Sequence, residues 1–128
     1  MRRAAALLAA MAAVGAPLLR AAPLAAQATV RIAAYNIRHG EGLDGRVDLA
    51  RAAAVLRALD ADVITLQEID RGVERTEGVD QATALGEMLG MEAHFGDFMP
   101  YQGGAYGMAV LSRLPVVSVR NLRLPDGD

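Results

Sequence analysis

Two short apolar runs, separated by one amphipathic segment, constrain the fold of this chain most strongly. Val30–Tyr35 and Val63–Leu66 have the length and composition of buried strands. Between them, Asp48 is a good helix N-cap, and apolar residues recur every three or four positions as far as Leu59. Strands joined by a helix of this length are normally parallel, with a right-handed crossover. The chain is therefore predicted to form an α/β sheet.

The later part of the chain continues this alternation. Apolar spacing predicts a second helix over Gln81–Leu89, with Gly90 as its C-terminal stop. Further apolar runs predict three more strands, over Glu92–Phe95, Gly107–Ser112 and Val116–Leu122. Turn and packing roles are predicted for three polar or aromatic residues near these strands, Tyr101, Gln102 and Tyr106, and the alternative is that they shape a substrate pocket.

The N-terminal segment has the pattern of an export signal. Arg2 and Arg3 precede the uncharged, mostly apolar run Ala4–Leu19, and Ala26-Gln27-Ala28 offers small residues for cleavage. The run is shorter than the ~20 apolar residues of a transmembrane helix. We therefore predict a signal peptide over residues 1–28, a domain over residues 29–128, and a secreted or periplasmic protein without stable membrane insertion of the mature chain. The alternative is an alanine-rich buried helix.

Removing the predicted leader changes the charge balance. Residues 29–128 hold all 15 acidic residues against 10 arginines, a formal net charge of −5 compared with −2 for the whole chain. This balance disfavours a protein that binds nucleic acid mainly through a basic surface. The sequence has no cysteine and no lysine, which excludes thiolate metal sites, cysteine nucleophiles and lysine Schiff bases. No segment indicates a protein partner.

A polar residue follows each of the first two predicted strands. Asn36 comes directly after the first, and Gln67 and Glu68 come after the second. Open α/β sheets bind ligands beyond the carboxyl ends of their strands, so these side chains are expected to converge. One interpretation is a site for a hard cation such as Mg²⁺, which takes oxygen ligands. The other is that Asn36 caps a turn and Glu68 is a solvated acid, and spacing alone leaves both open.

Three motifs add to this interpretation. They are Tyr35-Asn36-Ile37, Asp62-Val63-Ile64-Thr65-Leu66-Gln67-Glu68-Ile69-Asp70 and Tyr106-Gly107-Met108-Ala109-Val110-Leu111-Ser112-Arg113. In this order they resemble motifs of the endonuclease/exonuclease/phosphatase superfamily, which includes deoxyribonuclease-I-like nucleases and neutral sphingomyelinases. The resemblance implies the N-terminal part of a four-layer αββα two-sheet sandwich. Because that fold is much longer than this chain, it also implies a truncated domain.

The same resemblance implies a metal-dependent phosphoester hydrolase. It makes Glu68 the metal-ligating carboxylate and Asn36 its polar neighbour at the metal and the scissile phosphate, with Mg²⁺ as cofactor and Mn²⁺ as the alternative. The expected substrate is a phosphoester, in a lipid headgroup, a nucleic acid or a small molecule. Arg71, Arg75 and His39 are weaker candidates for substrate binding. Their alternatives are solvated loop charges and an incidental histidine.

The resemblance further predicts that these 128 residues alone are inactive. The family's catalytic histidine comes from a later part of its domain, and no histidine follows Ser112 here. One sheet face would also lack its partner sheet, so Val63–Leu66 and Ala109–Leu111 are expected to expose apolar side chains. The alternative function is a non-catalytic binding or remnant module that retains only the first sheet.

Overall fold

In the computed structural model, which describes residues 28–123, four strands form one mixed sheet. The strands are β1 (Ile32–Asn36), β2 (Val63–Arg71), β3 (Glu92–Tyr101) and β4 (Gly104–Ser112). Their order across the sheet is β1-β2-β4-β3. The β1 and β2 strands are parallel, and the other two pairings are antiparallel. The predicted signal peptide lies almost wholly outside the described residues.

Two helices, α1 (Leu49–Ala58) and α2 (Gln81–Leu89), pack against each other, and α2 also contacts the sheet. Their ends agree with the sequence patterns. The Asp48 carboxylate accepts a hydrogen bond from the backbone N–H of Arg51 and so caps α1. Gly90 ends α2 in the left-handed conformation, at a φ of +65°. No helix within residues 28–123 is long and apolar enough to cross a membrane.

The strands differ from the predictions in length and number. Both β2 and β3 continue well beyond the predicted segments, and β4 begins earlier. The prediction of a strand over Val116–Leu122 is wrong, because this segment pairs with no strand among the described residues. It is held by side chains instead. Asn121 Nδ2 donates to the backbone oxygen of Asp97 at 2.9 Å, and Arg123 binds the Asp97 carboxylate at 2.6 Å.

The two faces of the sheet differ in burial. On the face that the helices cover, the strand side chains form the core with Leu56 of α1 and Leu85 of α2. These strand residues are Ile64, Leu66, Ala109 and Leu111. Residues of the opposite face alternate with them, so Met108 remains 55% exposed and Val110 38% exposed. The predicted exposure of Val63–Leu66 and Ala109–Leu111 is therefore wrong for four of these seven residues, because strand alternation buries every second one under the helices.

Candidate functional site

A β-bulge in β2 sets the position of Glu68. Gln67 pairs with Met108 and Ile69 pairs with Gly107, so Glu68 is an extra residue in the ladder. Its φ of +58° lies in the left-handed region, which costs a residue other than glycine about 1–3 kcal/mol. The fully buried side chains of Leu66 and Ile69 hold the strand on both sides of the bulge. The core thus stabilises a backbone conformation that Glu68 alone would not adopt.

The Asn36 side chain links β1 to this bulge. Its Nδ2 donates to Glu68 Oε1 at 2.7 Å, and its Oδ1 accepts from the backbone N–H of Arg38 at 2.9 Å. Because a backbone N–H can only donate, the amide oxygen must face Arg38 and the amide nitrogen must face Glu68. Asn36 therefore has two structural roles, and the predicted cation site stays a prediction. Asn36 caps the turn after β1, and it positions the Glu68 carboxylate.

A buried ion pair lies two residues beyond Glu68. The Asp70 side chain is 0% exposed and accepts from Arg75 Nε at 2.8 Å and from Arg75 Nη2 at 2.9 Å. Thr76 Oγ1 donates to the same carboxylate at 3.2 Å. The bond to Asp70 raises the pKa of Arg75. Arg75 Nη1 has no hydrogen-bond partner within residues 28–123, so one edge of this fixed guanidinium is available to an anion.

Two tyrosines cover Arg75. Its guanidinium carbon lies 4.6 Å from the ring centroid of Tyr101 and 5.7 Å from that of Tyr106. A two-residue turn at Gln102 and Gly103, both with positive φ, joins β3 to β4 and brings the two rings within 6.3 Å of each other. Burial, and secondly the charge of Glu68, raise the pKa of Tyr106. Its phenol is therefore protonated, and a hydrogen-bond donor, at neutral pH.

These groups share one shallow cavity of about 290 Å³. It is lined by Arg38, His39, Glu68, Arg75, Met99, Tyr101 and Tyr106. The structure thus brings together three of the predicted site residues, with Asn36 directly behind Glu68. The two tyrosines, for which packing or turn roles were favoured over a substrate pocket, line the cavity as well. The Gln-Gly-Gly turn signal between them is the sequence feature that could have identified their proximity.

The remaining predicted residues are placed differently. The Arg71 guanidinium lies 4.3 Å from the ring centroid of Phe95, which packs on the helix-covered core, and Arg71 does not line the cavity. His39 lines the cavity, but its Nε2 lies 3.0 Å from Glu41 Oε2. The imidazole therefore contacts Glu41 rather than Glu68.

Glu68 is the one carboxylate among the described residues that line this cavity, so it is the group that a divalent cation would use there. Glu68 Oε2 has no hydrogen-bond partner in the described part of the chain, so it is available to a cation. Mg²⁺ in proteins usually keeps several waters and takes one or two carboxylates. The Asn36 oxygen accepts one hydrogen bond, from the backbone N–H of Arg38, and it has a second lone pair, so the role of Asn36 at the metal stays a prediction. Between residues 28 and 123, no group of three or more His, Asp or Glu side chains could hold a metal.

Comparison with known proteins agrees with the motifs and the fold. The model of the Endonuclease/Exonuclease/phosphatase family matches residues 33–128. The chain belongs to this family. Its members are hydrolases that generally use divalent metals. The predicted superfamily and the α/β fold class are therefore confirmed.

A solved structure adds a measure of extent. The crystal structure of an endonuclease/exonuclease/phosphatase from Beutenbergia cavernae DSM 12333 is similar over 70% of this chain, with 28% sequence identity and a TM-score of 0.52. The similar region covers 27% of that protein's chain. A search of curated proteins found no match.

Proposed function

We propose that the protein containing this chain hydrolyses a phosphodiester with a divalent metal bound at Glu68. The observation that carries the proposal is the Glu68 bulge. A carboxylate in a strained backbone conformation lines a cavity, and Asn36 binds one of its oxygens while the other is available. Strained residues that the surrounding core holds in place cluster at functional sites.

Four residues at the cavity have roles in the proposed reaction. Glu68 Oε2 would hold the metal, and Asn36 keeps the carboxylate from rotating. When bound, Mg²⁺ polarises the phosphate and lowers the pKa of the attacking water. Arg75 offers Nη1 to a non-bridging phosphate oxygen, because Asp70 already fixes its other nitrogens. The protonated Tyr106 phenol donates a hydrogen bond into the same cavity.

The charge distribution favours a lipid headgroup or a small phosphodiester over a long nucleic acid. The −5 charge of residues 29–128 repels a polyanion, whereas a small phosphodiester can meet Arg38 and Arg75 at the cavity. The same preference fits an exported enzyme. N-terminal sequencing of secreted or periplasmic protein is expected to begin at Thr29, and an intact Met1 on cytosolic protein would contradict export.

Glu68→Gln tests the proposed function, because it removes the anionic ligand and keeps the side-chain volume. We expect Mg²⁺-dependent hydrolysis of bis-nitrophenyl phosphate by the intact protein to fall at least about 100-fold, since even groups behind a metal ligand are worth 10–100-fold. Arg46→Ala, a change in an exposed loop, is the control and keeps wild-type turnover. Unchanged turnover and metal dependence in Glu68→Gln would contradict the role of Glu68.

A non-catalytic module is the second candidate for the 128 residues taken alone. One observation favours it, because a single carboxylate lines the cavity formed by the described residues. Water competes well for Mg²⁺ against so few anionic oxygens. The isolated chain is therefore expected to show no Mg²⁺-dependent hydrolysis of bis-nitrophenyl phosphate. Measurable metal-dependent turnover by this chain alone would exclude the non-catalytic module.

A further inference from the structure

Gln81, the first residue of α2, is a polar side chain that is fully buried. Its Nε2 donates to the backbone oxygen of His39 at 2.8 Å, and its Oε1 accepts from the backbone N–H of Asp70 at 3.0 Å. Each end of the amide thus binds a different segment of the chain. A buried amide is stable only while such partners are present, because an unpaired buried polar group is costly.

The two segments that Gln81 joins carry Asn36 and Glu68. His39 lies in the one-turn helix Arg38–Gly40 that follows Asn36, and Asp70 lies two residues after Glu68. Both segments contain residues other than glycine with positive φ, namely Arg38 at +47°, His39 at +43° and Glu68 at +58°. Such backbone relaxes unless its surroundings hold it.

Gln81 is itself firmly anchored. The Asp80 side chain caps α2 by accepting from the backbone N–H of Thr83. The backbone of Asp80 also forms an antiparallel β-bridge with Arg71 at the end of β2. Leu85 fixes the next turn of α2 in the core. The amide of Gln81 therefore has a fixed position from which to hold two strained segments.

We propose that Gln81 is a positioning residue that keeps Asn36 and Glu68 in hydrogen-bond contact. It acts through the backbone of His39 and Asp70 and contacts neither the substrate nor the metal. The catalytic consequence rests on the proposed function. The positional consequence does not, because the bond between Asn36 Nδ2 and Glu68 Oε1 is measurable without turnover.

Gln81→Met keeps the length of the side chain and removes both hydrogen bonds, so it is the principal test. In the ¹⁵N-labelled intact protein, exchange of the Asn36 side-chain amide protons with water is measured by NMR. We expect this exchange to accelerate about 10-fold or more in Gln81→Met, and kcat/KM for bis-nitrophenyl phosphate to fall 10–100-fold with weaker Mg²⁺ dependence. Leu85→Ala is the control for general destabilisation, because it removes a core side chain of the same helix and leaves both hydrogen bonds of Gln81 in place.

The outcomes separate positioning from general stability and from the proposed function. Unchanged Asn36 exchange in Gln81→Met, or equal acceleration in Leu85→Ala, overturns the proposal. If Gln81→Met does not fold, Gln81→Glu replaces it, because the carboxylate still accepts from Asp70 N–H but as an anion cannot donate to His39. Accelerated exchange in that variant supports the proposal, and wild-type exchange overturns it. If the wild-type protein hydrolyses nothing, the proposed function fails while Asn36 exchange still decides the role of Gln81.

Discussion

The two ends of the β1–β2 pair both carry charged clusters, and each end has a residue with positive φ, Asp60 and Glu68, but they differ in burial. At the amino end, Arg31 and Arg113 bind Asp60, and the side chains of Arg31 and Asp60 are each 59% exposed. At the carboxyl end, Asp70 is fully buried against Arg75, and Glu68 has a left-handed backbone. The amino-end cluster is an ordinary solvated one.

The difference shows which polar clusters in this fold indicate a site. Exposed ion pairs contribute little to stability and persist at little cost. A buried ion pair is strongly destabilising when one partner is lost. Burial, rather than polarity or a positive φ, therefore separates the candidate site from the opposite end of the strands. The following predictions test this difference, starting with the largest effect.

Asp70→Ala is expected to have the largest effect on stability. It leaves the Arg75 guanidinium without its carboxylate and removes one of the two acceptors of the Thr76 hydroxyl. Breaking a buried ion pair costs about 3–5 kcal/mol. Because the Arg75 side chain is 27% exposed, we expect a loss near the lower end, about 3 kcal/mol, from urea denaturation. A loss no larger than that of Asp60→Ala would remove the distinction between the two ends.

Asn36→Ala is expected to lower kcat/KM by about 10–100-fold, because Glu68 loses the donor that holds its carboxylate. Arg38→Ala serves as the comparison and should cost much less. Its backbone N–H, which binds Asn36, remains, and its side chain is 57% exposed. Steady-state kinetics of the intact protein on a phosphodiester decides between them, and equal losses would argue against a special role for Asn36.

Tyr106 gives a prediction about alkaline pH. Its pKa is raised above 10.0, chiefly by burial, so the folded protein keeps a proton that the unfolded chain has lost near pH 10. The unfolded state then binds fewer protons, and stability falls as pH rises above about 10. We expect the urea midpoint of the wild type to fall more steeply between about pH 9 and pH 11 than that of Tyr106→Phe. Parallel curves would mean that this site does not bury its phenol.

Asp60→Asn is expected to have the smallest effect. Arg113, and then Arg31, lower the pKa of Asp60, so its stabilising contribution is present above the unfolded pKa near 3.8 and disappears as pH falls through the folded pKa. The pairs are exposed, and salt screens them. The urea midpoint at pH 7 should therefore shift slightly at low ionic strength and not at all in concentrated NaCl. A large, salt-resistant shift would place the amino end among the structurally important clusters.

The sequence predicted which strand ends converge, and it could do so because a strand–helix–strand unit has one common arrangement. Parallel pairing places Asn36 beside Gln67, next to Glu68, whatever the details of the loops. The sequence did not predict the bulge, because no glycine marks the left-handed residue. The bulge shifts the alternation of β2 between Gln67 and Ile69, and this shift places Arg71 on the helix-covered face, over Phe95.

The wrong prediction of a strand over Val116–Leu122 has a different cause. Alternating valines satisfied the period of a strand, but pairing depends on a neighbouring backbone that no local pattern encodes. Gln81 shows the same dependence on contacts between segments that are distant in sequence. Its position at the start of α2 was predicted, whereas its contacts with His39 and Asp70, 42 and 11 residues away, required the fold.

At Glu68, with its left-handed backbone, selection for stability and selection for function favour different residues. Glycine adopts this conformation without steric cost, so Glu68→Gly relieves strain of about 1 kcal/mol or more. A mutant library of this protein selected only for thermal tolerance would therefore be enriched in glycine at residue 68. Such variants would be better folded and would lack the carboxylate. An engineering campaign on this protein should hold residue 68 fixed and seek its stability gains elsewhere.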